Sequence, residues 1–211
     1  SQLRPGSLVI DFSTIAPDTS RALAAELADR EVHYLDAPVT GGTEGARAGS
    51  LSILIGGDDA QLERARPLLQ LLGSRLNHFG PVGAGQQVKA LNQVLVAGSY
   101  AAVAEAMALG ARLGLPLAQV REALRDGAAG SWALEHRAGN MLRDAYPLGF
   151  RLALHRKDLG IALETAAANG LPLPISAQVA AMEDTLIASG HGDHDVSVLA
   201  RWFQEESAPP G

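Results

Sequence analysis

The alternation of strand and helix signals stops at residues 80–86, GPVGAGQ, and this change of pattern constrains the fold more than any other feature of the chain. Ahead of it, short β-rich runs (SLVIDF at 7–12, VHYLDA at 32–37, LSILIG at 51–56 and RLNHF at 75–79) alternate with helix patterns at 17–30 and 59–72. Pro17 stands in the first turn of the first helix, where a missing N–H is tolerated. Asp58 and Asp59 offer cap oxygens for the second helix, and Pro67 predicts a kink or a fresh start within it. Residues 41–49, GGTEGARAG, read as a glycine-rich loop. Beyond residue 86 no strand signal remains. Helix patterns cover 86–113, 117–127, 131–143, 151–169, 175–189 and 196–206, with Gly114, Pro116, Gly127, Gly130, Gly170 and Pro172 among the breaks between them. The expected fold class is α/β followed by all-α, with residues 1–85 in an α/β domain and 86–211 in a helical one. Four strands with two helices make half of an open sheet, whose free edge calls for further strands.

Bulk properties exclude several function classes. Hydrophobic residues make up 47 % and charged residues 19 %, ordinary for a globular chain. The formal net charge of −6 argues against a nucleic-acid binder, which needs a basic excess, but leaves room for a local basic pocket. The absence of cysteine removes disulfides, thiolate metal sites and a cysteine nucleophile. No uncharged apolar run reaches the roughly 18 residues of a membrane span, and SQLRPG lacks the pattern of a signal peptide. No membrane partner and a cytoplasmic location are therefore expected. The run GHGDHD at 190–195 holds His and Asp at metal-ligand spacing, but no third region offers matching ligands. It reads as a solvent loop between helices, and no metal site is expected. Trp132 and Trp202 read as packing anchors.

Two glycine loops and one helix face invite chemistry. GAGQQV at 83–88 approaches the G-x-G-x-x-G pattern after a strand and before a helix, yet Val88 takes the last glycine's place and no further strand follows to complete a βαβ unit. A Walker loop fails as well, since no Lys-Ser or Lys-Thr pair follows. The segment reads as a tight strand-to-helix turn. Thr40, Gly41 and Gly42 follow the strand that carries DAPV. Glycines there allow backbone N–H groups to approach a small anion, and a plain surface loop fits the same residues. Lys89 stands on the next helix with Asn92 and Gln93 at i+3 and i+4, among Val88, Leu91, Val94, Leu95 and Val96. Residue type alone leaves two readings, a snorkelling lysine with its amides on nearby loops or a buried functional group.

Three segments taken together resemble the β-hydroxyacid dehydrogenases, the family of 3-hydroxyisobutyrate dehydrogenase and tartronate semialdehyde reductase. They are DAPVTGGTEGARAGSLSILIGGD, GPVGAGQQVKALNQ and FRLALHRKDLGIAL, in this order, with LRPGSLVIDFSTIAPDTSR ahead of them. The resemblance spans essentially the entire chain. It implies the second half of a Rossmann-like dinucleotide-binding sheet joined to a helical substrate and dimerisation domain. It implies that Lys89 is the catalytic lysine, that Thr40, Gly41 and Gly42 bind the substrate carboxylate, and that Asn92 and Gln93 flank it. Gln93 replaces a second Asn found in many members, a variation associated with the tartronate semialdehyde reductase branch. Thr14, Phe150 and Lys157 would lie near the nicotinamide end of an NAD or NADP cofactor.

The family's opening βαβ unit with its G-x-G-x-x-G fingerprint has no counterpart here. About 80 residues would be needed for it, so a truncated chain, inactive alone, is expected, and the choice between NAD and NADP is not legible. The implied reaction is hydride exchange between the nicotinamide and a small β-hydroxyacid or its semialdehyde. Lys89 would move a proton at the substrate oxygen. A lysine neutral near pH 7 requires desolvation or a nearby cation, for which Lys157 is the candidate. A homo-oligomer through the helical domain is expected. The rival from another class is a non-catalytic helical dimerisation module. Imine reductases share the architecture but usually lack the lysine.

Overall fold

The computed structural model describes residues 3–205. They form two compact units, one of residues up to Gln93 with Glu164–Leu171, the other of Val94–Leu163 with the residues from Pro172 onward.

The first unit holds β1 (Leu8–Asp11), α1 (Pro17–Ala28), β2 (His33–Asp36), β3 (Val39–Thr40), α2 (Gly42–Ala48), β4 (Leu51–Ile55), α3 (Asp59–Leu72) and β5 (Gly73–His78), and then the start of α4 (Ala84–Arg112). β1 and β2 pair in parallel, Leu8 with His33 through Asp11 with Asp36. β3 runs antiparallel to β4, and β5 runs parallel to it. Pro38 separates β2 from β3 because it offers no N–H to a ladder. Its carbonyl still accepts from Leu54 N–H at 2.9 Å, and an Asp36–Gly56 bridge carries the pairing across the gap. The core follows from the alternation of the strands and the spacing of α3. Leu35, Ile53 and Ile55 face Leu62, Ala65 and Leu69, which recur at i, i+3 and i+7.

Three details depart from the sequence expectation. The segment GGTEGARAG is not a loop: residues 42–48 form α2, closed by Gly49 at φ +62°. Glycines at both ends take angles that side chains disfavour, and the short interior then closes into turns. β3 is too short to leave a period in the sequence. Pro67 lies inside an uninterrupted α3, whose buried Leu62, Ala65 and Leu69 fall on both sides of the proline and hold the segment as one helix.

The second unit is helical: most of α4, then α5 (Leu117–Leu124), α6 (Trp132–His136), α7 (Ala138–Leu142), α8 (Leu152–Ala168) as far as Leu163, α9 (Pro174–Leu186) and α10 (Leu199–Glu205). Residue 206 of the last expected helix lies outside the described residues. By length and composition α4 is apolar enough to cross a membrane. Here Ala97, Tyr100, Val103, Ala104 and Met107 of α4 fill the core with Met141, Leu152, Leu159, Leu186 and Leu199. The single helix expected over 131–143 is split at Arg137 (φ −121°). The Arg137 guanidinium lies 4.4 Å from the Trp132 ring centre, and its Nε is 3.5 Å from Asp195 Oδ1.

Residues 190–194 of GHGDHD are exposed or half-exposed, as a solvent loop requires, but Asp195 departs from that reading because it is fully buried. One carboxylate oxygen accepts from Gly149 N–H (3.1 Å) and Phe150 N–H (2.9 Å); the other accepts from Ser197 N–H (3.0 Å) and its hydroxyl (2.6 Å). Removing it strands several donors, each of which costs about 1–3 kcal/mol when left unpaired. Asp195→Ala is predicted to lower the unfolding free energy by about 3 kcal/mol or more, read by denaturant titration followed through the tryptophans.

Candidate functional site

The site begins with one buried carboxylate. Asp36 ends β2 and opens the DAPVTGG motif; its side chain is fully buried. Oδ1 accepts from Gly83 N–H at 2.7 Å, and Oδ2 accepts from Gln86 N–H at 2.9 Å. These are amides at the amino end of α4, which lack partners within the helix. A negative charge is also favoured there by the helix dipole. The glycines at this junction are required by space. A Cβ on Gly56 would lie 2.5 Å from Asp36 Oδ1, and one on Gly85 would lie 2.3 Å from the Leu54 carbonyl oxygen and 2.8 Å from Asp36 Oδ2. The glycines of GPVGAG thus let a helix start press against β4 and Asp36.

A second clamp joins α4 to the loop after β1. Gln86 is 1 % exposed. Its Nε2 donates to the Ser13 carbonyl at 2.8 Å, and its Oε1 accepts from Ile15 N–H at 3.3 Å. Thr14 lies between these two anchor points, on the loop at the carboxyl end of β1, where open α/β sheets take ligands. Asp11 steadies the same loop: its carboxylate accepts from Ser13 N–H at 2.9 Å and from the Tyr34 hydroxyl at 2.8 Å. Burial pushes the Asp11 carboxyl up, but the hydrogen bonds from Ser13 and Tyr34 outweigh it and hold it below the usual carboxylate value. The Tyr34 hydroxyl is pushed well up, by burial first and then by Asp11 and Asp36.

Lys89 is 7 % exposed, which excludes a snorkelling side chain. Gln86, Lys89 and Gln93 recur at i, i+3 and i+7, so three buried polar residues share one face of α4. Asn92 is half-buried, and its amide donates to Gln93 Oε1 at 2.6 Å, fixing both amides relative to each other. Thr40 is half-buried; Gly41 (φ +132°) and Gly42 (φ +63°) are exposed, with angles that favour glycine. All of these residues, and Thr14, belong to the first unit.

Phe150 and Lys157 belong to the second unit. The Phe150 ring meets His155 edge-on at 5.6 Å, and its N–H is held by Asp195. Lys157 is half-exposed and pairs with Asp158 at 2.8 Å. Among the described residues no cluster of three metal-ligating side chains occurs. Sequence reasoning missed Asp36 and Gln86. The signal for Asp36 was an acid at the end of an apolar strand, since a buried carboxylate must find donors.

Residues 83–203 match the family pattern described as "NAD-binding of NADP-dependent 3-hydroxyisobutyrate dehydrogenase". Residues 1–80 match the "NAD binding domain of 6-phosphogluconate dehydrogenase". The chain belongs to the 3-hydroxyisobutyrate dehydrogenase family. It is 39 % identical to the NAD-dependent L-serine dehydrogenase of Pseudomonas aeruginosa, covering 96 % of this chain and 70 % of that one. It is 40 % identical to the 2-hydroxy-3-oxopropionate reductase of Escherichia coli, covering 93 % and 67 %. A solved Mycobacterium tuberculosis 3-hydroxyisobutyrate dehydrogenase with L-serine superposes with a TM-score of 0.85 at 32 % identity, covering 97 % and 72 %. Members of this family are dehydrogenases and reductases, and the cofactor is NAD or NADP.

The Asp11 carboxyl gives a pH test. A folded pKa below the unfolded value adds stability that is present above about pH 4 and is lost as pH falls through the folded value. The melting-temperature gap between the native chain and Asp11→Asn is therefore predicted to be widest near neutrality and to close in acid, read by circular dichroism across pH.

Proposed function

We propose that this chain handles substrate and proton in hydride exchange between NAD or NADP and a small carboxylic acid bearing its reacting oxygen on the third carbon. The L-serine dehydrogenase and the 2-hydroxy-3-oxopropionate reductase are almost equally similar to the chain, and the acids in their names share that third-carbon oxygen. One observation carries the proposal: Asp36 of the DAPVTGG motif holds the amino end of the helix that carries buried Lys89, so the expected carboxylate loop and the expected proton donor hang on one support.

When bound, the cofactor supplies or accepts the hydride. The residues of the chain do the rest. Thr40 offers a hydroxyl and Gly41 and Gly42 their backbone amides to the carboxylate. In reduction, the Lys89 ammonium gives a proton to the carbonyl oxygen as negative charge grows there; in oxidation the neutral Lys89 amine accepts the hydroxyl proton as the hydride leaves. Asn92 and Gln93 hold a substrate oxygen in line with it. Thr14 on its clamped loop suits the nicotinamide end, because a hydroxyl at the carboxyl end of β1 matches the polar edge of that ring. Phe150 and Lys157 are assigned to the nicotinamide end on the family resemblance of FRLALHRKDL alone. We assign residues 1–85 to the remainder of an NAD(P)-binding α/β domain, which also carries the carboxylate loop, and residues 86–211 to a helical substrate and dimerisation domain, which also carries Phe150 and Lys157.

A homo-oligomer through the helical part is part of the proposal. Leu91, Leu95 and Leu109 of α4 are all about two-thirds exposed and recur on one side of it, an apolar stripe that a second copy would cover. A cytoplasmic location is proposed because the reaction draws on the nicotinamide pool inside the cell.

In the complete product of the gene, Lys89→Ala is predicted to lower kcat by about 10²–10⁴-fold while the cofactor Kd moves little. Near-normal turnover would contradict the role. A Leu95→Glu, Leu109→Glu double variant is predicted to shift the protein to monomer in light scattering; an unchanged mass would remove the stripe from the interface.

A further inference from the structure

We propose that Gln86 is a positioning residue that holds the Thr14 loop at a set distance from Lys89. The inference rests on the proposed hydride-transfer function and deepens it. The observation is a two-point clamp made by one buried amide. Nε2 donates to Ser13 C=O and Oε1 accepts from Ile15 N–H, so the backbone is gripped on both sides of Thr14. Only an amide of this length does both at once, since one end must donate and the other accept. The amide has no freedom to wander, because Gln86 is itself fixed through its N–H to Asp36 Oδ2. Ser13 is fixed from its other side by Asp11.

The position in the helix makes the clamp functional. Lys89 is one turn beyond Gln86 on the same buried face. Any shift of the Thr14 loop along α4 is therefore a shift relative to Lys89. Hydride transfer needs reacting atoms near 3–3.5 Å apart, so a displacement of about 1 Å between the nicotinamide contact and the proton donor is costly to turnover. A glutamine that merely filled space would have no need for a donor and an acceptor aimed at two different backbone groups.

Two variants test this in the complete gene product. Gln86→Met keeps the length and removes both hydrogen bonds. Gln86→Glu keeps the acceptor for Ile15 N–H and, when ionised, turns a repelling oxygen on Ser13 C=O. When protonated, the acid reproduces both bonds. The charged groups around it are Asp36 at its own backbone, Asp11 across the loop, Arg21 against Gly83 at the helix start and Lys89 a turn away. The first readout is amide hydrogen exchange of residues 13–15, which needs neither cofactor nor activity. The second is kcat and the cofactor KM, each as a ratio to the native protein at the same pH.

For Gln86→Met the expected results are exchange about tenfold faster at Ile15, a kcat lowered by about tenfold or more, and unchanged exchange at Phe150. For Gln86→Glu, the exchange and kcat ratios are expected to return toward one as pH falls from 8 to 5.5. Recovery on protonation is something a cavity or a misfold would not produce, and it keeps the test valid if the methionine variant folds poorly. Unchanged Ile15 exchange in both variants would overturn the clamp. Faster exchange with unchanged kcat would overturn its link to the site. If Lys89→Ala retains turnover while the exchange effects stand, the functional proposal fails and the clamp survives as a structural fact.

Discussion

A carboxylate buried at the end of a strand must find donors, and in this fold it finds them at the start of a helix. Asp36 accepts the N–H groups of Gly83 and Gln86, so β2 and α4 are locked where the polypeptide changes from sheet to helix. Much else follows from that contact. Gly56 and Gly85 have no room for a side chain because the carboxylate and the Leu54 carbonyl occupy the space. Gln86, fixed by the same carboxylate, reaches back to the loop after β1. Lys89 then falls one turn on, with its face already chosen. A charge paired with two helix amides and the dipole is stable where an isolated one would be expelled.

The division of labour between the two parts has a physical logic. Strand ends and helix starts hold polar groups rigidly because their backbone amides and carbonyls are only partly used by secondary structure. The helical unit uses Asp195 for a similar purpose, gathering the amides of Gly149, Phe150 and Ser197 around one buried acid. Each unit thus organises a predicted site residue around a buried aspartate: Lys89 through Asp36, Phe150 through Asp195. In both, the acid is remote in sequence from what it positions.

That remoteness explains what was legible in the sequence and what was not. Elements with a strong period were readable: β1, β2, β4 and α3 lie close to where alternation and capping put them, and Asp58 caps α3 as expected, accepting from Ala60 and Gln61. The helical character after residue 86 was equally plain. Elements without a period were not readable, namely the two-residue β3 and the glycine-flanked α2. Lys89 was found as a candidate through an ordered set of motifs, while its own spacing left a snorkelling side chain open. Its burial closes that choice. Asp36 and Gln86 escaped because their partners are 47 to 73 residues away, and no local pattern registers a hydrogen bond across that separation.

In the proposed function Asp36 acts on turnover through Lys89, and a double-mutant cycle on kcat in the full-length protein decides whether it does. Asp36→Asn keeps the shape but presents an amide donor to one of the two helix amides. If Asp36 works by holding Lys89 in place, Asp36→Asn lowers kcat by about tenfold or more in the native background and has almost no effect once Lys89→Ala is present. An equal loss in both backgrounds would contradict the account and reduce Asp36 to a residue of general stability.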